Sequence, residues 1–196
     1  MKKTGAVILA AGRGSRLGGA CKATYILPSS GVSFLDSIYK TAKIFLSNCV
    51  LVTGGEHENE AQNEAKRLGI ATTSNPNPDR GMSSSIAVGF EYAIQNFNEI
   101  SATFLWPVDY PQVDRSSLAA LLKAGAPDKL VSPTHEGKSG HPPLIGRNFW
   151  PLFSQSHLYP RGARTIFEKN RDANVKIPVT DVAILQDVDY KSDLNE

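Results

Sequence analysis

The sequence predicts an α/β protein of three layers, α/β/α, built on a mostly parallel, Rossmann-like sheet. Three observations predict it. The run Gly5–Ala11 is continuously apolar, has the length of one strand and is bounded by glycines, as expected for a strand buried on both faces. Short apolar runs then alternate with segments of helical periodicity, the mark of repeated βα units. Between the first run and the first helix lies a loop dense in glycine and cations, Gly12 to Lys22.

Taken in order, Gly5–Ala11 is the first strand. Ser33 caps a helix on which Leu35, Ile38, Ala42, Phe45 and Leu46 recur at helical spacing. Cys49–Thr53 reads as a second strand ended by Gly54 and Gly55, and Glu56–Leu68 as a polar helix stopped by Gly69. A short strand near Ile70–Thr73, a loop from Asn75 to Gly81, and a helix carrying Ile86, Phe90, Ala93, Ile94 and Phe97 follow. Ala102–Asp109 is the next strand; Pro107 within it cannot donate to a ladder, so the sheet must end, bulge or present an edge there. Asp114 caps a helix to Ala124, and Lys129–Ser132 is another strand. After Pro133 the rhythm changes to a hairpin-like turn, His135–Gly140, and to short elements suited to an acceptor-binding flap. No repeat or linker divides the 196 residues, which read as one domain, 1–196.

Composition narrows the function. With 41% hydrophobic and 20% charged residues the chain can bury a sizeable core. A formal charge of +2 makes neither nucleic acid nor an anionic membrane the default partner. The apolar run near the start is short and closely followed by Arg13 and Arg16, which reads as a strand rather than a signal peptide, and no run reaches membrane-spanning length. Cys21 and Cys49 have neither metal-ligand nor disulfide-framework spacing; a reducing cytoplasm is the expected location.

The chemistry is concentrated after the first strand. Glycines there let backbone amides approach phosphate oxygens, while Arg16 and Lys22 supply charge. The loop is no P-loop, because Ala23 rather than Ser or Thr follows Lys22; it is a poor dinucleotide fingerprint, because Leu17 stands where a third glycine belongs.

LAAGRGSRLGGACK, Leu9 to Lys22, resembles the signature of the MobA-like nucleotidyltransferases, especially the branch with the molybdenum cofactor cytidylyltransferases. Asn75–Ser85, Val108–Pro111, Gly140–Pro143, Gly162–Arg164 and Asp187–Asp189 follow in the family's order and span nearly the whole chain. The resemblance implies a fold of the nucleotide-diphospho-sugar transferase type and transfer of a nucleoside monophosphate to a phosphorylated or hydroxylated acceptor, such as molybdopterin, with release of pyrophosphate. It implies Mg²⁺ on Asp109 and on Asp189, with Asp187 the alternative second ligand. It assigns Arg16 and Lys22 to the triphosphate, the backbone around Ala11, Gly12 and Gly14 to close passage along the nucleotide, Leu9, Ala10 and Ala11 to the base or ribose, and Ser15 to nucleotide binding. Asn75, Gly81, Ser83, Ser84 and Ser85 are expected to line the base and ribose pocket, and His141 and Arg164 to face the acceptor. Leu-Ala-Ala-Gly points to CTP. A molybdoenzyme or cofactor-delivery partner is the protein partner the branch implies.

Single residues have plainer readings: a turn for Asp109, a helix cap for any one Ser, an ion pair with Glu168 for Arg164. Two other functions compete. An NAD(P)-dependent oxidoreductase needs a ribose selector ending the second strand, where Thr53-Gly54-Gly55 stands with Glu56 beyond. A non-catalytic nucleotide-binding module has no need of the acidic pair.

Overall fold

The structure is a computed structural model and describes residues 3–194 except Arg13, Ser15 and Arg16. The sheet contains eight strands: β1 (Thr4–Leu9), β2 (Leu46–Thr53), β3 (Ala71–Ser74), β4 (Ala102–Pro107), β5 (Leu130–His135), β6 (Lys138–Ser139), β7 (Leu144–Gly146) and β8 (Asn174–Pro178). The helices are α1 (Phe34–Ala42), α2 (Glu58–Leu68), α3 (Met82–Asn96), α4 (Arg115–Ala124), α5 (Trp150–Phe153) and α6 (Ala163–Lys169). Strand order is β3-β2-β1-β4-β7-β5-β6, with β8 paired to β5. The pairs β1·β2, β1·β4, β2·β3 and β5·β8 are parallel, whereas β7 runs antiparallel to both β4 and β5.

Alternation along the strands makes the layers. Ala6, Ile8 and Ala10 belong to one core with Leu51, Phe104, Trp106 and Val131; into it α1, α2 and α4 send Leu35, Ile38, Ala61, Ala65, Leu118 and Leu121. Val7 and Leu9 belong to the opposite core with Val50, Val52, Leu105 and Leu130, covered by Ile86 and Phe90 of α3, Trp150 and Phe153 of α5 and Ile166 of α6. Strands buried on both faces explain the unbroken apolar run at the start of the chain.

Boundaries shift where local chemistry intervenes. The first strand ends at Leu9 rather than Ala11, because after the Ala10 amide bonds Val52 O at 2.8 Å the chain turns into the loop. The second begins at Leu46 and the third spans Ala71–Ser74. A 3₁₀ turn, Gly55–His57, precedes α2, whose end is capped by left-handed Gly69. Ser33 and Asp114 cap α1 and α4 as expected, their side chains accepting from the Asp36 and Ser116 amides. The β4 ladder stops at Pro107, which lies opposite Leu9. Strand β5 continues through Pro133 to His135: β7 pairs only with Leu130 and Val131, β6 only with Thr134 and His135, and Pro133 falls between them, its carbonyl accepting from the Gly140 amide. The hairpin turn puts Glu136 and Gly137 at φ 49° and 79°, as a two-residue hairpin requires. Among the described residues no helix is long and apolar enough to cross a membrane.

Candidate functional site

The parallel strands β2, β1 and β4 end together, with Val52, Leu9 and Pro107 in register. Here the order of strands reverses: β1 leads through α1 on one face to β2, while α3 on the other face leads to β4. Such a switch point opens a crevice at the carboxyl ends of the strands. A cleft of about 800 Å³ lies there, lined by Leu9, Ala10, Ala11, Gly12, Gly14, Lys22, Gly81, Asp109 and Asp189. With Ser85, ten residues assigned from the sequence thus meet, although they come from five separate segments. Arg16 and Ser15, expected beside them, lie outside the described residues.

The glycine-rich loop is held from below. Gly14 has φ 59°, and a Cβ there would stand 2.0 Å from Ala20 O, so any other residue would break the turn. The Leu17 and Gly19 amides donate to Gly14 O, and Leu17, only 2% exposed, anchors the loop in the core. A third glycine at that position would forfeit the anchor.

Asp109 follows β4 in a turn closed by the Tyr110 amide donating to Pro107 O at 3.2 Å and by Trp106 Nε1 donating to Tyr110 O at 3.0 Å. The C-terminal segment docks on it: the Val188 amide donates to Asp109 O at 2.8 Å, which brings Asp187 and Asp189 beside Asp109. Oxygens of the three carboxylates lie within 4.8 Å of one another. Asp193, which sequence reasoning passed over, accepts from the Asp189 and Tyr190 amides at 2.9 and 2.7 Å and fixes that turn; the spacing Asp189–Asp193 was its only signal. Lys22 Nζ lies 2.5 Å from Asp189 Oδ1 and 3.4 Å from Asp109 Oδ2. Burial raises the Asp109 carboxyl above its ordinary pKa, against the opposing pull of Lys22. Asp109 Oδ1 is buried with no hydrogen-bond partner among the described residues. A hard oxygen donor set with an uncommitted buried oxygen fits a small dication such as Mg²⁺.

The serine segment divides. Ser85 and Gly81 face the cleft, joined by Pro78, Asp79, Met82, Gly54, Gly55 and Glu56, none of which the sequence assigns individually to a transferase's nucleotide. Asn75 and Ser84 do not line it. Asn75, 3% exposed, donates to Ser84 Oγ at 2.8 Å and Ser85 Oγ at 2.9 Å, while its Oδ1 accepts from the Asn77 amide. Ser84 Oγ donates to Gly81 O at 2.8 Å. Both therefore brace the loop behind the cleft. Ser83 faces the 156–162 segment instead: its carbonyl accepts from Ser156 Oγ, and a Cβ on Gly162 would collide with its hydroxyl.

A second cavity of about 890 Å³ shares Leu9, Met82 and Pro107 with the first and contains His141, Arg164, Arg171, Asn174, Lys176 and Ser132. His141 and Arg164 thus share this wall, separate from the glycine loop. Arg164 pairs with Glu168 at 3.3 Å and is 75% exposed. His141 packs against Tyr110 with the rings tilted by 41° and their centroids 4.7 Å apart, and its amide donates to Ile184 O at 2.8 Å. Its Nδ1 is buried without a partner among the described residues.

Burial pushes the His141 pKa from 6.5 down to about 4, with Asp187 pulling weakly the other way. The unfolded chain takes up this proton near 6.5 and the folded one only near 4, so stability is fully present above 6.5 and is lost as pH falls between the two. Denaturant unfolding at about pH 7.5 and about pH 4.5 should show up to about 3 kcal/mol of pH-dependent loss that His141→Gln removes; equal losses in both proteins would reject this origin.

The MobA-like NTP transferase domain model matches residues 6–175. Among solved structures, Rv0371c from Mycobacterium tuberculosis superposes with TM-score 0.81 at 22% identity, covering 99% of this chain and 96% of that one. A nucleotidyl transferase from Methanothermobacter gives TM-score 0.79 at 18% identity, covering 98% and 94%. The CMP:2-keto-3-deoxy-manno-octonic acid synthetase complexed with CTP gives 0.73 at 13% identity, covering 99% and 96%. No curated protein matches the sequence. A family match from β1 into β8, which takes in the glycine-rich loop, Lys22 and Asp109, places the chain among the MobA-like NTP transferases, a family of nucleotidyltransferases.

Proposed function

We propose that this protein is a Mg²⁺-dependent cytidylyltransferase that moves CMP from CTP to a small anionic acceptor of the molybdopterin kind, in the cytoplasm. The observation that carries the reading is the meeting of Lys22, Asp109 and Asp189 at the edge of a cleft lined by Leu9, Ala10, Ala11, Gly12 and Gly14. Phosphoryl chemistry requires positioning and charge neutralisation more than a protein nucleophile, and no Ser or Cys nucleophile is needed in this arrangement. The bound CTP of a structural neighbour and the Leu-Ala-Ala-Gly run favour cytidine.

The triphosphate lies along the glycine loop, where backbone amides and Lys22 receive its oxygens; Arg16 is the second cation assigned to it. Ala10, Ala11, Gly81 and Ser85 bound the nucleoside end, with Asn75 and Ser84 holding the loop in shape. Asp109 and Asp189 hold the dication, with Asp187 available beside them. When bound, Mg²⁺ supplies charge neutralisation at the reacting phosphates. The acceptor sits in the second cavity, and its oxygen attacks the α-phosphorus; the new P–O bond forms as the bond to the bridging oxygen breaks and pyrophosphate leaves. His141 offers the acceptor a buried hydrogen-bonding edge, while Arg164, Arg171 and Lys176 make the cavity rim cationic.

The test is pyrophosphate release with CTP, GTP, ATP and UTP, each with Mg²⁺ and candidate phosphorylated acceptors, alongside thermal shifts with the same nucleotides and NADP⁺. Acceptor-dependent release from CTP supports the reading. Another preferred nucleotide rejects the cytidine assignment, stabilisation by NADP⁺ alone rejects the transferase, and nucleotide binding without release under every acceptor tried favours a binding module. For the acceptor wall, Arg171→Ala and Lys176→Ala together should raise the acceptor KM about tenfold with the CTP KM unchanged. A rise in the CTP KM instead would move those residues to the donor side.

A further inference from the structure

Lys22 has a duty before any nucleotide arrives. Its ammonium bridges the two carboxylates assigned to the dication, Asp109 and Asp189, at 3.4 and 2.5 Å. The three side chains are only 15%, 20% and 18% exposed, so these charges at the cleft edge are partly withdrawn from water. Partly buried carboxylates are costly to leave without a counter-ion, and here the chain itself supplies one. A dication on the same oxygens would stand within a few ångströms of the ammonium in a weakly screened setting, where like charges repel strongly. The two cations therefore compete for these carboxylates: Asp109 Oδ1 is uncommitted among the described residues, but Asp109 Oδ2 and Asp189 Oδ1 are held by Lys22.

We infer that Lys22 is the resident counter-ion of the acidic cluster in the nucleotide-free enzyme and is exchanged for the dication when the nucleotide arrives. The inference rests on the transferase reading for the ligand that receives Lys22. A triphosphate draws the ammonium off the carboxylates and onto phosphate oxygens, and the metal that accompanies the nucleotide takes its place. The acidic cluster is thereby closed to free metal and open to metal–nucleotide. One side chain then couples the two binding events without a change of fold: removal of its charge from the carboxylates and delivery of that charge to the phosphates are one movement.

The experiment measures Mn²⁺ binding to the nucleotide-free protein by electron paramagnetic resonance of free Mn²⁺. Wild type and Lys22→Arg, which keep the cation, should bind weakly, and Lys22→Met and Lys22→Gln should each bind at least about tenfold more tightly. Adding Asp109→Asn to Lys22→Met should abolish the gain. Thermal melts of every variant establish that it is folded, and a folded neutral variant of either kind suffices. Affinities within about twofold of wild type in a folded neutral variant would overturn the inference, as would a gain that survives Asp109→Asn. The readout uses neither nucleotide nor turnover, so failure of pyrophosphate release would count against the transferase reading and leave this result standing.

Discussion

Asp109→Asn should lower pyrophosphate release about 10³-fold while the protein stays folded. The carboxylate stands where β4 delivers it, on the turn closed by Pro107 O and the Tyr110 amide, and the C-terminal segment docks on its carbonyl rather than on its side chain. Asparagine preserves that backbone geometry and the side-chain shape but removes the negative charge that holds the dication. Loss of one group that stabilises developing charge in a closed site typically costs 10²- to 10³-fold, and a metal ligand belongs at the upper end; about 10³-fold corresponds to about 4 kcal/mol of transition-state stabilisation. Stability should change little, because burial already disfavours the charged form of Asp109 and Lys22 keeps its contact with Asp189. The measurement is steady-state pyrophosphate release together with a thermal melt. Turnover within tenfold of wild type in a folded variant would remove Asp109 from the reaction; a collapsed melt would mean that its role is structural.

Gly89→Val should destabilise the fold by about 3 kcal/mol or more. Gly89 lies on α3 against the strands, and a Cβ there would stand 2.3 Å from Val7 Cγ1 and 2.9 Å from Val52 Cγ2. Both valines are fully buried in the core between α3 and the sheet, so neither has room to yield. Helix propensity alone favours valine over glycine by only a few tenths of a kcal/mol, whereas overpacking costs about 1–3 kcal/mol per forced insertion and a branched side chain adds more than one methyl. Packing wins, and α3 must lift from β1 and β2. Since α3 begins directly after Gly81 and carries Ser85 in its first turn, the lift should also weaken nucleotide binding. Chemical denaturation checks the stability, and Val7→Ala in the same chain should recover part of the loss. Full additivity of the two substitutions would show that the contact is not the cause.

The Gly5–Ala11 run, the Ser33 and Asp114 caps and the Gly69 stop were all legible, because each depends on chemistry within a few residues. The order of the strands was not. Nothing local to Leu144–Gly146 says that it will enter the sheet between β4 and β5 in the antiparallel sense, and that insertion is what carries the Gly140–Pro143 segment past the end of β4. Pro133 looked like the end of a strand because proline disrupts a ladder, yet its neighbours pair with two different strands and leave a gap for it.

The site divides along the same line. By itself the sequence determined the family resemblance, the phosphate-binding loop and the acidic residues with chemistry to offer, because motif spacing and side-chain type are properties of the chain. Only the tertiary structure decided that Asn75 and Ser84 brace the nucleotide loop from behind, that Ser83 turns toward Gly162, and that Lys22 reaches Asp109 and Asp189 across 87 and 167 residues. The physical reason is burial. Which polar groups face a cleft and which satisfy one another beneath it depends on how the two cores close around the sheet, and the packing that closes them is not local in sequence.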